Sequence, residues 1–327
     1  MTVSVIIPVF NCQDYIAEAI HSIANQTVRD VEIVVVDDGS TDSTLEVARR
    51  EAAQDPRVIV ITQSNTGMPG AARNTGIRAC RGEFIAFLDA DDIYEPDKIE
   101  QELAAFRDFP EVDVVFCDVA RFWGPAPDKA LPGVLKECKF VEAARDHLEP
   151  RGDARFLCKP SFYSFMTTRM AAIATMTVMI RRTALFAEPV WFPEDWVAGE
   201  DLDLWFRLGR RFRMAYVDRI LSWYRQRPGS VMTSQEKAVI GAIKAHGTNL
   251  NRALDVLTPG EIVSLRRRVA RYYFELAYVK YRQGSMRESR QALMGARGLA
   301  REEFSTVAYL KTYLPKSLVK LLVAARS

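Results

Sequence analysis

Histidine is nearly missing from this chain: there are three among 327 residues, at positions 21, 147 and 246. A multi-histidine metal centre is therefore not expected. Cysteine is also scarce. The five residues at 12, 80, 117, 138 and 158 are odd in number, far apart and free of any C-x-x-C pair. That pattern excludes a disulfide framework and a zinc knuckle, and it points to a reducing compartment. Long apolar runs are absent. The longest, Met170 to Ile180, has 11 residues and carries two threonines, whereas a membrane-spanning helix needs about 20. The N-terminal MTVSVIIPVF has neither a basic n-region nor a small-residue cleavage site, so no secretory signal is expected. The expectation is a cytoplasmic protein that is soluble or rests on the inner face of a membrane.

What is present is ordinary globular material: 48% hydrophobic and 26% charged residues, which argues against disorder and fibrous repeats. The length suits two domains, or one large domain with a helical appendage. A net charge of +2 hides an asymmetry, because residues 236–327 hold 17 Lys/Arg against 7 Asp/Glu. The acidic body and the basic tail can divide their labour, with the tail facing an anionic surface, or the tail is a solvated arginine-rich helical face.

Along the chain, β-branched runs alternate with helical periods. Val3–Val9, Val31–Val36, Val58–Thr62 and Phe84–Leu88 read as strands buried on both faces. Helices are expected from Tyr15 to Ile23, Ser43 to Ala53, Ala71 to Ala79, and Pro96 to Phe109. This alternation predicts an α/β fold with a mainly parallel sheet flanked by helices. A fifth strand is expected at Val112–Val119, an irregular stretch at 121–160, and a strand at 173–180. A helix at Asp201–Arg211 is followed by a short strand at Met214–Val217, which Leu221–Arg225 can extend, and the chain reads as helical from about Ser234. Ligands bind beyond the carboxyl ends of such strands. The polar clusters fall there: Asn11, Asp37-Asp38, Asn65–Gly70 and Asp89–Asp92.

Asp89-Ala90-Asp91-Asp92 crowds three carboxylates into four residues. Two such charges about 4 Å apart repel by up to ~4 kcal/mol at an effective dielectric near 20. A cation or a set of donors must compensate, unless the segment is a solvated turn that caps the helix near Pro96. Oxygen ligands without sulfur suit Mg²⁺ or Mn²⁺. In Asp37-Asp38-Gly39-Ser40-Thr41-Asp42, capping of the next helix accounts for Ser40 to Ser43, but not for two aspartates at the strand exit. Neither G-x-x-x-x-G-K-[ST] nor a strand-linked G-x-G-x-x-G occurs, so a diphosphate here would be held through a metal and not in a glycine-rich cradle.

Five ordered segments now matter together: SVIIPVFN, VVVDDGSTDST, NTGMPGAARNTG, FIAFLDADDIYEPDKI and GEDLDLWFRL. In this order they resemble the family 2 glycosyltransferases, over residues 1–235. The resemblance implies the GT-A (nucleotide-diphospho-sugar transferase) fold. It places a nucleotide-sugar half at about 1–120, an acceptor half at about 121–235, and a helical basic extension at 236–327. It implies that Pro8, Phe10 and Asn11 contact the base and ribose and that Asp37 and Asp38 hydrogen-bond the base. Asn65, Gly67 and Arg73 would line the donor pocket. Asp89, Ala90 and Asp91 stand as the D-x-D segment, in which Asp91 chiefly, with Asp89, holds a divalent cation, Mn or Mg. Glu200-Asp201 matches the family's catalytic pair, with Asp201 as general base.

The chemistry is coherent with that reading. Sugar transfer needs a leaving diphosphate neutralised by a Lewis acid and a base on the opposite face, which inverts the anomeric carbon. An aspartate in the first turn of a helix stays ionised with help from the helix dipole. One departure concerns Tyr224-Arg225-Gln226-Arg227-Pro228-Gly229-Ser230, where Arg227 stands at a position often held by His in the family. A guanidinium there, like that of Arg225, reaches phosphates but is no metal ligand. Q-x-x-R-W is absent, which favours addition of one sugar over polymerisation.

The expected function is therefore inverting, metal-dependent transfer of one sugar in surface polysaccharide or glycoconjugate biosynthesis. The donor is a nucleotide-diphospho-sugar (a UDP-sugar by default), and the acceptor a glycan or a lipid-linked glycan. The alternatives are a sugar nucleotidyltransferase, whose glycine-rich signature is missing, and a non-catalytic sugar-binding relative, expected to have lost Asp91 or Asp201. An apolar stripe from Tyr309 to Leu322, interleaved with lysines, suits either an anionic membrane surface or packing on the preceding helices. No motif supports nucleic-acid binding.

Overall fold

The computed structural model describes residues 2–227, 234–303, 309, 312 and 313. The β-branched runs form the strands expected of them. β1 (Val3–Val9), β2 (Val31–Asp37), β3 (Val58–Thr62) and β4 (Phe84–Phe87) pair in parallel in the order β3-β2-β1-β4. Helices α1 (Ile16–Ala24), α2 (Thr44–Gln54) and α3 (Pro69–Ala79) connect them. Val5, Ile6, Ile7, Val34 and Val35 are fully buried, and each such side chain is worth about 1.5–3 kcal/mol of transfer free energy. Coverage on both faces is what makes the strands continuously apolar.

After β5 (Ile93–Tyr94) and α4 (Lys98–Asp108), β6 (Val114–Phe122) and β10 (Met214–Arg225) run parallel to each other. β9 (Val178–Arg181) sits between β4 and β6 and is antiparallel to both. β4 and β6 therefore point the same way, and β1–β4, β6 and β10 all end at one edge. The register confirms it: Val9 lies opposite Asp37, Asp37 opposite Thr62, and Arg225 opposite Phe122. β7 (Leu148–Pro150) and β8 (Arg155–Cys158) extend the sheet beyond β10, and β5 pairs with β10.

Three expectations are corrected. The stretch 121–160 is not wholly irregular, for it carries α5 (Val134–Glu137), α6 (Phe140–Ala143), β7 and β8. These are too short for periodicity to show. They are held by distant partners such as the Asp118 carboxylate, which accepts from the backbone of Leu135 and Lys136. The strand expected at 173–180 is shortened, because Thr175–Thr177 forms a 3-10 turn in which the Thr177 hydroxyl donates to Ala174 O. The fifth strand runs over Val114–Phe122 and not Val112–Val119, whereas the strand from Met214 does continue through Arg225, with register shifts near Ile220 that act as bulges.

Contacts divide the chain into two compact units, Met1–Met166 with Met170–Pro228, and Thr167–Arg169 with Gly229–Ser327. The second unit holds α10 (Gln235–Arg252), α11 (Pro259–Arg282) and α12 (Met286–Leu299), and Ser234 caps α10 by accepting from Lys237 N. Thr258 and Glu261 form a capping box at α11, and Gly284, with φ of 78°, turns α11 into α12. The stripe from Tyr309 to Leu322 falls outside the described residues except at Tyr309, Thr312 and Tyr313. Among the described residues no helix is long and apolar enough to cross a membrane.

Candidate active site

The strand ends deliver four acidic or polar segments to the shared edge of the first unit, and a fifth comes from α9 (Glu200–Arg211). Gly199, at φ of 81°, turns the chain into α9. Glu200 and Asp201 consequently lie in its first turn, where the helix dipole favours negative charge.

Arg73, on α3, joins the segments. One terminal guanidinium nitrogen lies 2.8 Å from Asp89 Oδ1 and the other 2.7 Å from Glu200 Oε1. Arg73 and Glu200 are 127 positions apart in sequence, and through Arg73 the D-x-D segment and the α9 pair are brought together. The Arg73 side chain is buried and its plane lies over the Phe192 ring. Burial opposes its charge, but Asp89, Glu200 and Asp201 outweigh it and hold the guanidinium more firmly protonated than usual.

Glu200 is also buried, and its carboxyl is pushed up to about 7 by burial and then by the neighbouring Asp201, against the pull of Arg73. Its ordinary value is 4.5. Between these values the folded state binds more protons than the unfolded one, so stability falls as pH rises through that window. Glu200→Gln is expected to flatten this fall. From about pH 5 to pH 7.5 the melting temperature of the native chain should drop more than that of the variant. Parallel curves for the two proteins would remove the assignment.

Asp201 accepts from the Thr175 hydroxyl at 2.9 Å on Oδ2 and from Leu202 N on Oδ1. Thr175 is buried in the 3-10 turn before β9. No sequence pattern marks it, since it lies within the longest apolar run. Asp92, the third carboxylate of the Asp89–Asp92 turn, is withdrawn from the surface. It is completely buried, with one oxygen accepting from Arg225 N at 2.9 Å and the other without a partner among the described residues. Burial first, then Asp89 and Asp91, raise its carboxyl well above the usual range.

Several of the expected ligand residues also make contacts within the protein. Asp38 turns inward, accepting from the Gln63 side chain and from the backbone and hydroxyl of Thr66. Asp37 accepts from Ser40 N. Asn11, at φ of 49°, exchanges hydrogen bonds with Thr41 and donates its backbone N–H to the Ser40 hydroxyl oxygen. These links tie the loops after β1, β2 and β3 together. Gly39 permits their close approach, because a Cβ there would lie 2.7 Å from Asn65 N. Phe10, Asn65 and Gly67 remain exposed on this edge, while Pro8 is half-buried and Ala90 buried.

Arg225 is likewise engaged by protein groups. Its guanidinium donates to Asp91 O, Gly124 O and the Glu18 carboxylate, and it is sandwiched by the rings of Tyr15 and Phe122. Arg227 faces the acidic turn directly, with Nε 2.5 Å from Asp91 Oδ2. Nearby, burial and then Asp91 push the Cys12 thiol up to about 12, which keeps it protonated and unreactive.

The donor set decides whether a divalent cation fits. Among the described residues no group of three or more His, Cys, Asp or Glu is arranged to hold one alone. Asp89 Oδ1 is taken by Arg73, so Asp89 is not free as an equal ligand. Mg²⁺ and similar ions are commonly held by one or two carboxylates together with substrate phosphates. Asp91 satisfies that requirement, and the residues fit a cation that arrives with a diphosphate. The tryptophans are mostly packing: Trp205 lies in the core against Phe87 and Phe192, and Trp223 packs on Phe122.

Comparison with known proteins gives the family description Glycosyl transferase family 2 for residues 4–165. A glycosyltransferase of Bacillus subtilis (strain 168), EpsJ, whose own reaction is uncharacterized, is 32% identical over 233 residues, 70% of this chain and 62% of EpsJ. The chain spans 33%, 15% and 62% of the lengths of the first three curated relatives it matches. Among solved structures, S. aureus TarS 1-349 in complex with UDP-GlcNAc superposes with a TM-score of 0.65 at 18% identity, covering 100% of this chain and 93% of TarS 1-349. The mannosyltransferase PcManGT from Pyrobaculum calidifontis, in complex with GDP-Man and Mn²⁺, gives 0.56 at 19% identity, over 98% and 84% of the two chains. The fold is thus that of the GT-A transferases.

Proposed function

Because the chain belongs to glycosyl transferase family 2 through residues 4–165, we propose that it transfers one sugar from a nucleotide-diphospho-sugar to an acceptor hydroxyl, with inversion. The default donor is a UDP-sugar and the acceptor a glycan or lipid-linked glycan. One observation carries the reading: the Arg73 guanidinium contacts both Asp89 and Glu200, so the donor-side turn and the α9 pair share a pocket.

In this reading the exposed Phe10, with Asn65 and Gly67, borders the nucleotide. Asp38 and Asn11 shape that border by holding its loops. Asp91 would hold Mn²⁺ or Mg²⁺, which when bound supplies positive charge to the leaving diphosphate. Asp201 takes the proton of the acceptor hydroxyl. Thr175 fixes the Asp201 carboxylate by donating to Oδ2, which leaves the remaining lone pairs to face an acceptor. Arg73 positions Glu200 and Asp89 and stays charged throughout.

The test is a screen of nucleotide sugars for cation-dependent hydrolysis and for protection against heat. One donor should protect in the presence of Mn²⁺. Asp91→Asn is expected to weaken that donor's binding at least about tenfold, ~1.4 kcal/mol, by calorimetry. Undiminished binding would reject the role given to Asp91.

A further inference from the structure

We propose that Arg227 is the resident counter-charge of Asp91, excluding a free divalent cation from that carboxylate until a nucleoside diphosphate draws the guanidinium away. The inference rests on the donor reading above and adds an order of events to it.

Three observations support it. Arg227 Nε lies 2.5 Å from Asp91 Oδ2, while in the same turn Asp89 Oδ1 is held by Arg73 and Asp92 is buried. The Arg227 side chain is 29% exposed and that of Asp91 14% exposed, so the pair is partly open to solvent. Arg227's other contacts among the described residues are weak and easily exchanged: its Cζ lies 5.4 Å from the centre of the Tyr15 ring, and its Nη2 lies 3.9 Å from Cys12 Sγ. Arg225, by contrast, is fixed by three acceptors and cannot exchange partners in this way.

The chemistry sets the consequence. A guanidinium has five N–H donors and no lone pair, so it competes with a cation for Asp91 and never joins it as a ligand. Against a diphosphate the same fork forms paired, charge-assisted hydrogen bonds. The diphosphate therefore gives the guanidinium a better partner and releases the carboxylate in one exchange. No covalent bond changes. A ligand whose site is open in only a fraction of molecules binds with its affinity reduced by that fraction. If Arg227 holds Asp91 in about nine molecules of ten, free Mn²⁺ binds about tenfold more weakly than it would to the open carboxylate.

The experiment titrates Mn²⁺ by paramagnetic resonance, with and without UDP, on the native chain and on Arg227→Gln, after equal melting curves have shown that both are folded. Without UDP, the variant is expected to bind Mn²⁺ about tenfold more tightly than the native chain. With UDP, the native chain is expected to gain Mn²⁺ affinity by more than the variant does. Arg227→Lys, which keeps a point charge but loses the fork, should fall between them. Equal Mn²⁺ affinity of native chain and Arg227→Gln without UDP, or no Mn²⁺ binding by either, overturns the proposal. Failure of UDP to raise Mn²⁺ affinity in the native chain rejects the donor reading itself, a separate outcome.

Discussion

Asp201→Asn is expected to lower kcat by about 10²–10⁴-fold, the range for loss of a positioned general base, while leaving donor affinity unchanged. Asparagine has nearly the same shape. Its amide oxygen can accept from Leu202 N in place of Oδ1, and its NH2, in place of Oδ2, can donate to the Thr175 hydroxyl oxygen, so both partners stay engaged. It cannot take a proton. Because Asp201 lies apart from the Asp91 turn in sequence and meets it through Glu200 and Arg73, the donor should be retained. Steady-state transfer assays paired with calorimetric donor binding separate the two effects. Transfer at the native rate would sink the base assignment, and loss of both transfer and donor binding would mean that Asp201 supports the pocket instead.

The second large effect concerns stability. Above about pH 8, where Glu200 is ionised in the native chain, Arg73→Gln is expected to cost about 3–5 kcal/mol, as when one partner of a buried ion pair is removed and the other is left unpaired. The cost should shrink toward about pH 5, where Glu200 takes up a proton. Two carboxylates lose their cation here: Glu200, whose side chain is 6% exposed, and Asp89, which is 32% exposed. The cost arises mainly at Glu200, since water can screen Asp89. Adding Glu200→Gln to Arg73→Gln should recover a large part of the loss, because the double variant no longer buries an unpaired charge. Urea unfolding of the two single variants and the double variant measures this. A loss under about 1 kcal/mol for Arg73→Gln, the size of a surface pair, would mean that the bridge does not hold the two segments.

Much of the sheet and the placement of the acidic segments were legible in the sequence. Val3–Val9 and Val31–Asp37 are buried on both faces, and that burial is the same physical fact as their uninterrupted apolar pattern. Polar residues just beyond such runs had to emerge at the strand ends. Partner choice was not legible. Asp38 and Arg225 look like free ligands in one dimension, yet their charges are satisfied by Thr66, Gln63 and Glu18, residues that carry no pattern of their own. Thr175 was hidden for the opposite reason, since a hydroxyl inside an apolar run reads as strand. The small elements between 121 and 160 owe their existence to Asp118 and similar anchors, and such tertiary contacts override local propensity.

One feature of the sheet reaches further. β9 runs against its neighbours, so the pocket receives the beginning of this strand where it receives the finishing residues of β4 and β6. Thr175 arrives three residues before Val178, as a lead-in and not as a tail. Extra residues placed after Arg181 would lengthen the far side of the molecule and leave this hydroxyl where it is. A single residue inserted between Thr175 and Val178 would swing it away from its aspartate. The spacing from Thr175 to Val178 is thus tied to the aspartate, a constraint that residues beyond Arg181 do not share.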